Sequence, residues 1–336
     1  MLRELEQIVR ARWKEFGYTG KRPERLICVL SGDRHLHSKA VLYCLPDERS
    51  APAVIVKIQK DDLHLPLLRN EYLHLKALHA REGLGELRQS IPRPLFFGEV
   101  ADHPVLIQSY MPGVPFSKHA RRRDPGSFLK LSEWLRAFHM LTLRPARILT
   151  EREVGVYFLH PLELAMQVIS GHGSLQFFLE EYGRRLEALS TANLSFVFSH
   201  NDLCLSNVRF DGQRINVIDW EFSREPDLPL LDLINAFLFF AMTWRRLSYV
   251  EAFHGAFSGH NGVSVLFRQC LENYVRDVEL SPGMLPLLLV QYLISRIPLL
   301  KSIGNVAGLE DTLQCLGALA EGGVAQKPWT DLAACA

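Results

Sequence analysis

Residues 199–221 read Ser-His-Asn-Asp-Leu-Cys-Leu-Ser-Asn-Val-Arg-Phe-Asp-Gly-Gln-Arg-Ile-Asn-Val-Ile-Asp-Trp-Glu, and three of them have the types and spacing to hold a cation beside a base. Asp211-Gly212 is a tight-turn signal between two short strand-like segments. If those segments pair about position 213, Asn207 and Asp219 meet at the open end of a hairpin. Paired strands lie about 4.8 Å apart, so an amide carbonyl and a carboxylate on adjacent strand ends can share one hard ion. Mg²⁺ takes few protein oxygens and keeps its other positions for water and phosphate. Asp202 precedes Asn207 in the loop feeding the hairpin, where an acid can serve an incoming hydroxyl without ligating the metal. Taken singly, each residue is an ordinary surface acid or amide. The joint spacing H-x-D-x4-N, followed by an apolar strand ending in Ile-Asp, is the signal.

The elements that must position these groups are set by periodicity. The first 25 residues alternate charged and apolar groups with helical spacing. Strand-like runs come next at 26–30, 40–45 and 53–58, then a helix opened by Pro66 and running through Leu78, then strands at 95–100 and 105–108. Met111-Pro112-Gly113-Val114-Pro115 breaks the chain. Beyond it the pattern is helical at 128–143, 175–189, 228–244 and 285–297, interrupted by the strand-rich island at 208–220. These runs predict an α+β chain of two lobes. Residues 1–108 form a small antiparallel β lobe with one helix, 109–115 a hinge, and 116–336 a larger, mainly helical lobe.

With these motifs the chain resembles the aminoglycoside phosphotransferase and choline kinase family, distant relatives of protein kinases. His200, Asp202, Asn207 and Asp219 match its H-x-D-x4-N and I-D motifs, and Trp220-Glu221 and Asp232-Leu233 look like their continuation. The resemblance implies a protein-kinase-like fold, Asp202 as catalytic base, Asn207 and Asp219 as metal ligands, and His200 as a structural brace. Cys204 stands where many kinase relatives have a basic residue.

The same resemblance requires a lysine on a sheet strand and a glutamate on the next helix. Lys57 shares a strand face with Ile55 and is costly to bury without a counter-charge. Leu68, Glu71, Leu75 and Leu78 form one helical stripe, which puts Glu71 among apolar residues. An ammonium and a carboxylate each misplaced for solvent are best explained by each other, and in the family this pair orients nucleotide phosphates. The phosphate-covering loop is 31–39, where Ser31, Ser38 and backbone amides around a single glycine, Gly32, offer donors. His35 and His37 on that loop lack a third ligand and read as exposed loop histidines. Gln108, Ser109, Tyr110 and Met111 fall where the family's hinge offers backbone groups to adenine, with Ile55 and Ile218 as apolar walls around the base.

Composition bounds the partners. Lys and Arg number 38 against 37 Asp and Glu, a net charge of +1 that gives no phosphate-backbone field, so no nucleic-acid partner is expected. With 48% hydrophobic and 22% charged residues over 336 positions, the chain supports a large core and is not disordered. The six cysteines form no C-x-x-C pair, which argues against a zinc site or a disulfide framework. The apolar stretches 228–244 and 285–300 carry polar residues, Arg296 among them. Both read as buried helices rather than membrane spans, and a cytoplasmic protein is expected. The expected cofactors are ATP, with GTP as the alternative nucleotide, and Mg²⁺. The expected reaction is transfer of the γ-phosphate to a hydroxyl of a small polar metabolite, a sugar or sugar-like alcohol. Two alternatives stay open: a kinase of a cationic acceptor such as an aminoglycoside or choline-like amino alcohol, and a non-catalytic nucleotide-binding protein of the same fold.

Overall fold

The structure is a computed structural model and describes residues 1–18, 22, 26–30, 39–46, 51–60, 65–121, 124–169, 173–186, 192–257 and 261–322. It divides into two compact units: Met1–Val114 with Asn207–Ser223, and Pro115–Ser206 with Arg224–Ala336. The strand-rich island thus belongs to the first unit, although it lies far along the chain.

The first unit is built on a five-stranded antiparallel sheet of β1 (Ile27–Leu30), β2 (Lys39–Leu45), β3 (Val54–Gln59), β4 (Pro94–Val100) and β5 (His103–Ser109), in the order β1-β2-β3-β5-β4. Strand alternation divides its faces. Val54, Val56 and Ile58 join Leu42, Val105 and Ile107 in a core closed by Leu5 and Val9 of helix α1 (Leu2–Ala11) and by Trp13 and Phe16. The opposite face carries Ile55 and Lys57, and helix α2 (Leu65–Ala80) packs against β3, β4 and β5. Its buried stripe is Leu68, Glu71, Leu75 and Leu78, the stripe that the sequence spacing predicts.

The returning segment forms a hairpin of Val208–Phe210 and Ile215–Val217. Its register places Phe210 opposite Ile215 and Val208 opposite Val217, so Asn207 faces Ile218 and not Asp219 as the sequence reading expects. The one-residue difference comes from the turn. Asp211 Oδ1 accepts the N–H groups of Gln213 and Arg214 at 2.9 and 2.8 Å, and Gly212 takes φ +101°, so four residues rather than three separate the strands. Gly113, also at positive φ, lies so close to the hairpin that a Cβ would sit 2.7 Å from the Phe210 carbonyl carbon. Only glycine fits that approach.

The second unit holds helices α3 (Gly126–Thr142), α4 (His160–Val168), α5 (Gly173–Leu186), α6 (Leu231–Arg245), α7 (Tyr249–Phe257), α8 (Gly262–Asp277), α9 (Leu285–Ser302) and α10 (Val306–Ala320). It also contains a three-stranded antiparallel sheet of Arg144–Ile148, Asn193–Ser199 and Arg224–Asp227 that the helical reading of this region does not anticipate. Its central strand is buried on both faces from Leu194 to Ser199, so it lacks the alternation that announces a strand. The segment Pro282–Ser302, which contains α9, is long and apolar enough to cross a membrane by length and composition, with 61% of its most apolar window buried.

Candidate active site

In the first unit the expected lysine and glutamate meet. Lys57 Nζ lies 2.6 Å from both carboxylate oxygens of Glu71 and 2.7 Å from Asp219 Oδ1. Lys57 is 5% exposed and Glu71 fully buried, a depth at which neither charge is tolerable alone. A second lysine joins them. Lys39 Nζ is 2.9 Å from the same Asp219 oxygen and 2.8 Å from Glu221 Oε2. The register pairs Lys39 with Gln59 and Val41 with Lys57, which sets the two lysines diagonally on one sheet face. Two ammoniums so placed repel, and Asp219 between them relieves that repulsion. With Glu71 and Glu221 the cluster keeps one net negative charge.

The titrations reflect this arrangement. Burial works against the Lys57 and Lys39 ammoniums, but the carboxylates, Asp219 first, hold both above the ordinary lysine value. Burial pushes the Asp219 carboxyl up, and the two lysines overcome it and hold the acid well below the usual range.

Asp219 has φ +68°, a left-handed conformation costing a non-glycine residue about 1–2 kcal/mol. Neighbouring contacts hold it there. Asn207 O accepts the Ile218 N–H at 2.9 Å on one side. On the other, fully buried Trp220 donates its indole N–H to Val217 O at 3.0 Å. Helix α2 clamps residues 221–223: Asn70 Nδ2 donates to Glu221 O at 2.7 Å and Ser223 O at 3.0 Å, and His74 Nδ1 lies 2.8 Å from Ser223 Oγ.

Carboxylate oxygens of Glu71, Asp219 and Glu221 lie within 4.8 Å of one another. An all-oxygen set suits a hard cation such as Mg²⁺. Both Glu71 oxygens are occupied by Lys57, and both lysines converge on Asp219 Oδ1. Among the described residues no hydrogen bond reaches Asp219 Oδ2. The donor set therefore fits a cation held by Asp219 and Glu221, and Asn207 is the hairpin residue paired with Ile218, next in the chain to Asp219. Ser31, Gly32, Ser38, His35 and His37 lie outside the described residues.

Ile55 and Gln108 face each other across β3 and β5 and share the Lys57 face. Gln108 is 2% exposed, and its Oε1 has no hydrogen-bond partner. At the end of β5 the Ser109 N–H donates to Arg93 O at 2.9 Å and the Tyr110 N–H to Ala53 O at 3.4 Å. Met111 is buried and Ile218 half-buried.

His200 and Asp202 belong to the second unit, where a buried carboxylate shapes their loop. Asp232 Oδ2 accepts the His200 N–H at 2.6 Å and Oδ1 the Asn201 N–H at 2.8 Å. Asn201 takes φ +63°, and its Nδ2 donates to Asp227 Oδ2 at 2.6 Å. The Asp202 N–H then reaches His200 Nδ1 at 3.3 Å, and the Cys204 N–H bonds Asp202 O at 2.8 Å. Behind Asp232 stands His139, its Nε2 3.5 Å from Oδ2 and its Nδ1 2.6 Å from Tyr274 OH. Burial raises the Asp232 carboxyl, and His139, His200 and the backbone donor bring it below its ordinary value. Spacing did not assign Lys39, Glu221, Asp232 or His139 a role. Lys39 is signalled only by sharing a strand face with the residue opposite Lys57, and Glu221 and Asp232 only as continuations of motifs.

A sequence profile described as the phosphotransferase enzyme family, APH, matches residues 40–265. No curated protein sequence matches the chain. Among solved structures, amicoumacin kinase hAmiN in complex with AMP-PNP, Ca²⁺ and Ami is 13% identical with a TM-score of 0.50, covering 97% of this chain and 98% of that one. Glucosamine kinase in complex with glucosamine, ADP and inorganic phosphate is 12% identical with a TM-score of 0.50, covering 92% of this chain and 81% of that one. Aminoglycoside phosphotransferase APH(3'')-Id from Streptomyces rimosus ATCC10970 is 18% identical with a TM-score of 0.46, covering 84% and 93%.

Proposed function

The chain belongs to the phosphotransferase enzyme family, acting on hydroxyl acceptors, and from that premise we propose that it moves the γ-phosphate of ATP to a hydroxyl of a small polar metabolite, a sugar or sugar-like alcohol. The observation that carries this reading is the Lys57 ammonium held at 2.6–2.7 Å between Glu71 and Asp219. A lysine fixed this way presents its charge at one point, which is what positioning of nucleotide phosphates requires. Ile55, Gln108, Ser109, Tyr110, Met111 and Ile218 take the base, the orphaned Gln108 oxygen offering an acceptor on the same face. Ser31 and Gly32 serve the phosphates.

Asp219 and Asn207 hold Mg²⁺, and Glu221 joins them. A bound Mg²⁺ supplies charge neutralisation on the phosphate oxygens. Lys39 adds a second cation where charge accumulates, and positioning and neutralisation supply most of the rate. Asp202 accepts the acceptor hydroxyl's proton. His200 orients the Asp202 backbone through Nδ1, and Asp232 fixes both by gripping the N–H groups before them.

Thermal-shift titration with ATP tests the reading. ATP is expected to stabilise the protein only with Mg²⁺, and Asp219→Ala to abolish that response. Asp202→Ala is expected to keep the shift and lose phosphate transfer. A metal-independent shift, or loss of nucleotide binding in Asp202→Ala, would contradict these assignments.

A further inference from the structure

Among the described residues, α9 lies in the one helix long and apolar enough to cross a membrane, yet it carries an arginine. Arg296 NH1 donates to Asn235 Oδ1 of α6 at 2.7 Å. Its guanidinium carbon lies 5.4 Å from the ring centroids of Tyr249 and Tyr292 and 6.0 Å from that of Phe239. Tyr292 OH also donates to Asn235 Oδ1, at 3.0 Å. Among the described residues no carboxylate lies within ion-pair distance of Arg296, and the acid whose charge reaches it is Asp202. Three rings and one amide oxygen are a poor substitute for a counter-ion in low dielectric.

Two donors in this cluster are left over. Arg296 Nε and Asn235 Nδ2 are both buried and neither has a hydrogen-bond partner. Asn235 is 4% exposed, so water does not solvate it freely. Buried donors without acceptors cost about 1–3 kcal/mol each, more when charged, so two of them side by side call for an acceptor that the chain itself does not supply. Here the missing piece is an acceptor with negative charge. Planar guanidinium and amide N–H groups side by side match a carboxylate.

We propose that Arg296 and Asn235 recognise the carboxylate of an acceptor that is itself an alcohol, a hydroxy acid of sugar size. The rings of Phe239, Tyr249 and Tyr292 flank its carbon skeleton, and its hydroxyl faces Asp202. The inference rests on Asp202 as the base of the phosphotransfer. A fixed positive charge with no ion-pair partner among the described residues disfavours a polycationic acceptor, whose ammoniums it repels. The rival acceptor class from the sequence, aminoglycosides and amino alcohols, is therefore the one this site rejects.

The test uses three probes that differ in charge on one ring: glucuronate, glucose and glucosamine. Their affinities are measured by calorimetric titration of the full chain with a non-hydrolysable ATP analogue and Mg²⁺. Wild type is expected to bind glucuronate most tightly and glucosamine least. Arg296→Gln is expected to weaken glucuronate ~10- to 100-fold and leave glucosamine unchanged or tighter. Arg296→Lys keeps the charge and loses the planar fork, so it is expected to retain the ranking at lower affinity; it serves if the glutamine variant fails to fold. Glucosamine binding best, a ranking unaltered by Arg296→Gln, or no binding of any probe while ATP with Mg²⁺ still stabilises the protein would each overturn the inference and leave the kinase reading intact. Absence of the metal-dependent ATP response in wild type would overturn the kinase reading itself.

Discussion

Lys57 and Glu71 show how little freedom a buried charge leaves to its partner. Removing the ammonium in Lys57→Met strands a fully buried carboxylate and is expected to cost about 3–5 kcal/mol in chemical denaturation. Replacing both, Lys57→Met with Glu71→Leu, is expected to recover most of that loss while nucleotide binding stays absent. A double variant as unstable as the single one would mean that the pair stabilises the unit by more than mutual neutralisation. The two residues were legible because each breaks an apolar pattern: a lysine in a buried strand and a glutamate in a leucine stripe. Lys39 breaks no pattern, since it opens its strand after a run of polar residues in the sequence. Only the register of β2 against β3 brings it to Asp219. Arg296 stood out for interrupting an apolar helix, but Phe239, Tyr249 and the Asn235 amide come from two other helices that spacing alone cannot bring beside it.

The loop between the strand Asn193–Ser199 and the hairpin depends on a short neighbouring strand, Arg224–Asp227. Burial raises the Asp227 carboxyl to about 6, against the opposing pull of the Asn201 amide and Arg224. In the unfolded chain the group returns to about 3.9. The folded state thus holds this proton more tightly, and the stability Asp227 contributes is present at pH 4 and lost as pH rises through 6. Asp227→Asn cannot ionise. Its stability relative to wild type is expected to grow by roughly 2–3 kcal/mol between pH 4 and pH 7, read from urea midpoints at several pH values. A flat difference would place the Asp227 titration at its ordinary value. At this scale the hairpin was legible from Asp211-Gly212, but its register was not. Turn length is set by side-chain hydrogen bonds from Asp211, and these decide whether three or four residues bridge the strands.

Over the whole chain the family profile ends at residue 265, while the second unit's core does not. Leu288, Leu289, Leu293, Ile294 and Ile297 of α9 are fully buried. Each contributes about 1.5–3 kcal/mol, and together they approach or exceed the whole stability of a typical domain, about 5–15 kcal/mol. A chain cut after residue 265 is expected to lose cooperative unfolding by circular dichroism. A sharp melting transition in that fragment would mean that α9 and α10 are dispensable to the core. The α+β class was readable from the change from strand-like to helical periodicity along the chain. The small sheet inside the helical unit was not, because a strand buried on both faces carries the same run of apolar residues as a buried helix.

The first unit is discontinuous in the chain, and that fixes an order of events during synthesis. When residue 114 leaves the ribosome, the five-stranded sheet and α2 can form, and Lys57 can already find Glu71. Asp219 is not yet made. The ribosome must first translate residues 115–206, which at ~5–20 residues per second takes on the order of ten seconds. Throughout that interval the nascent sheet presents two lysines to one glutamate, a surplus of positive charge that the finished protein reverses.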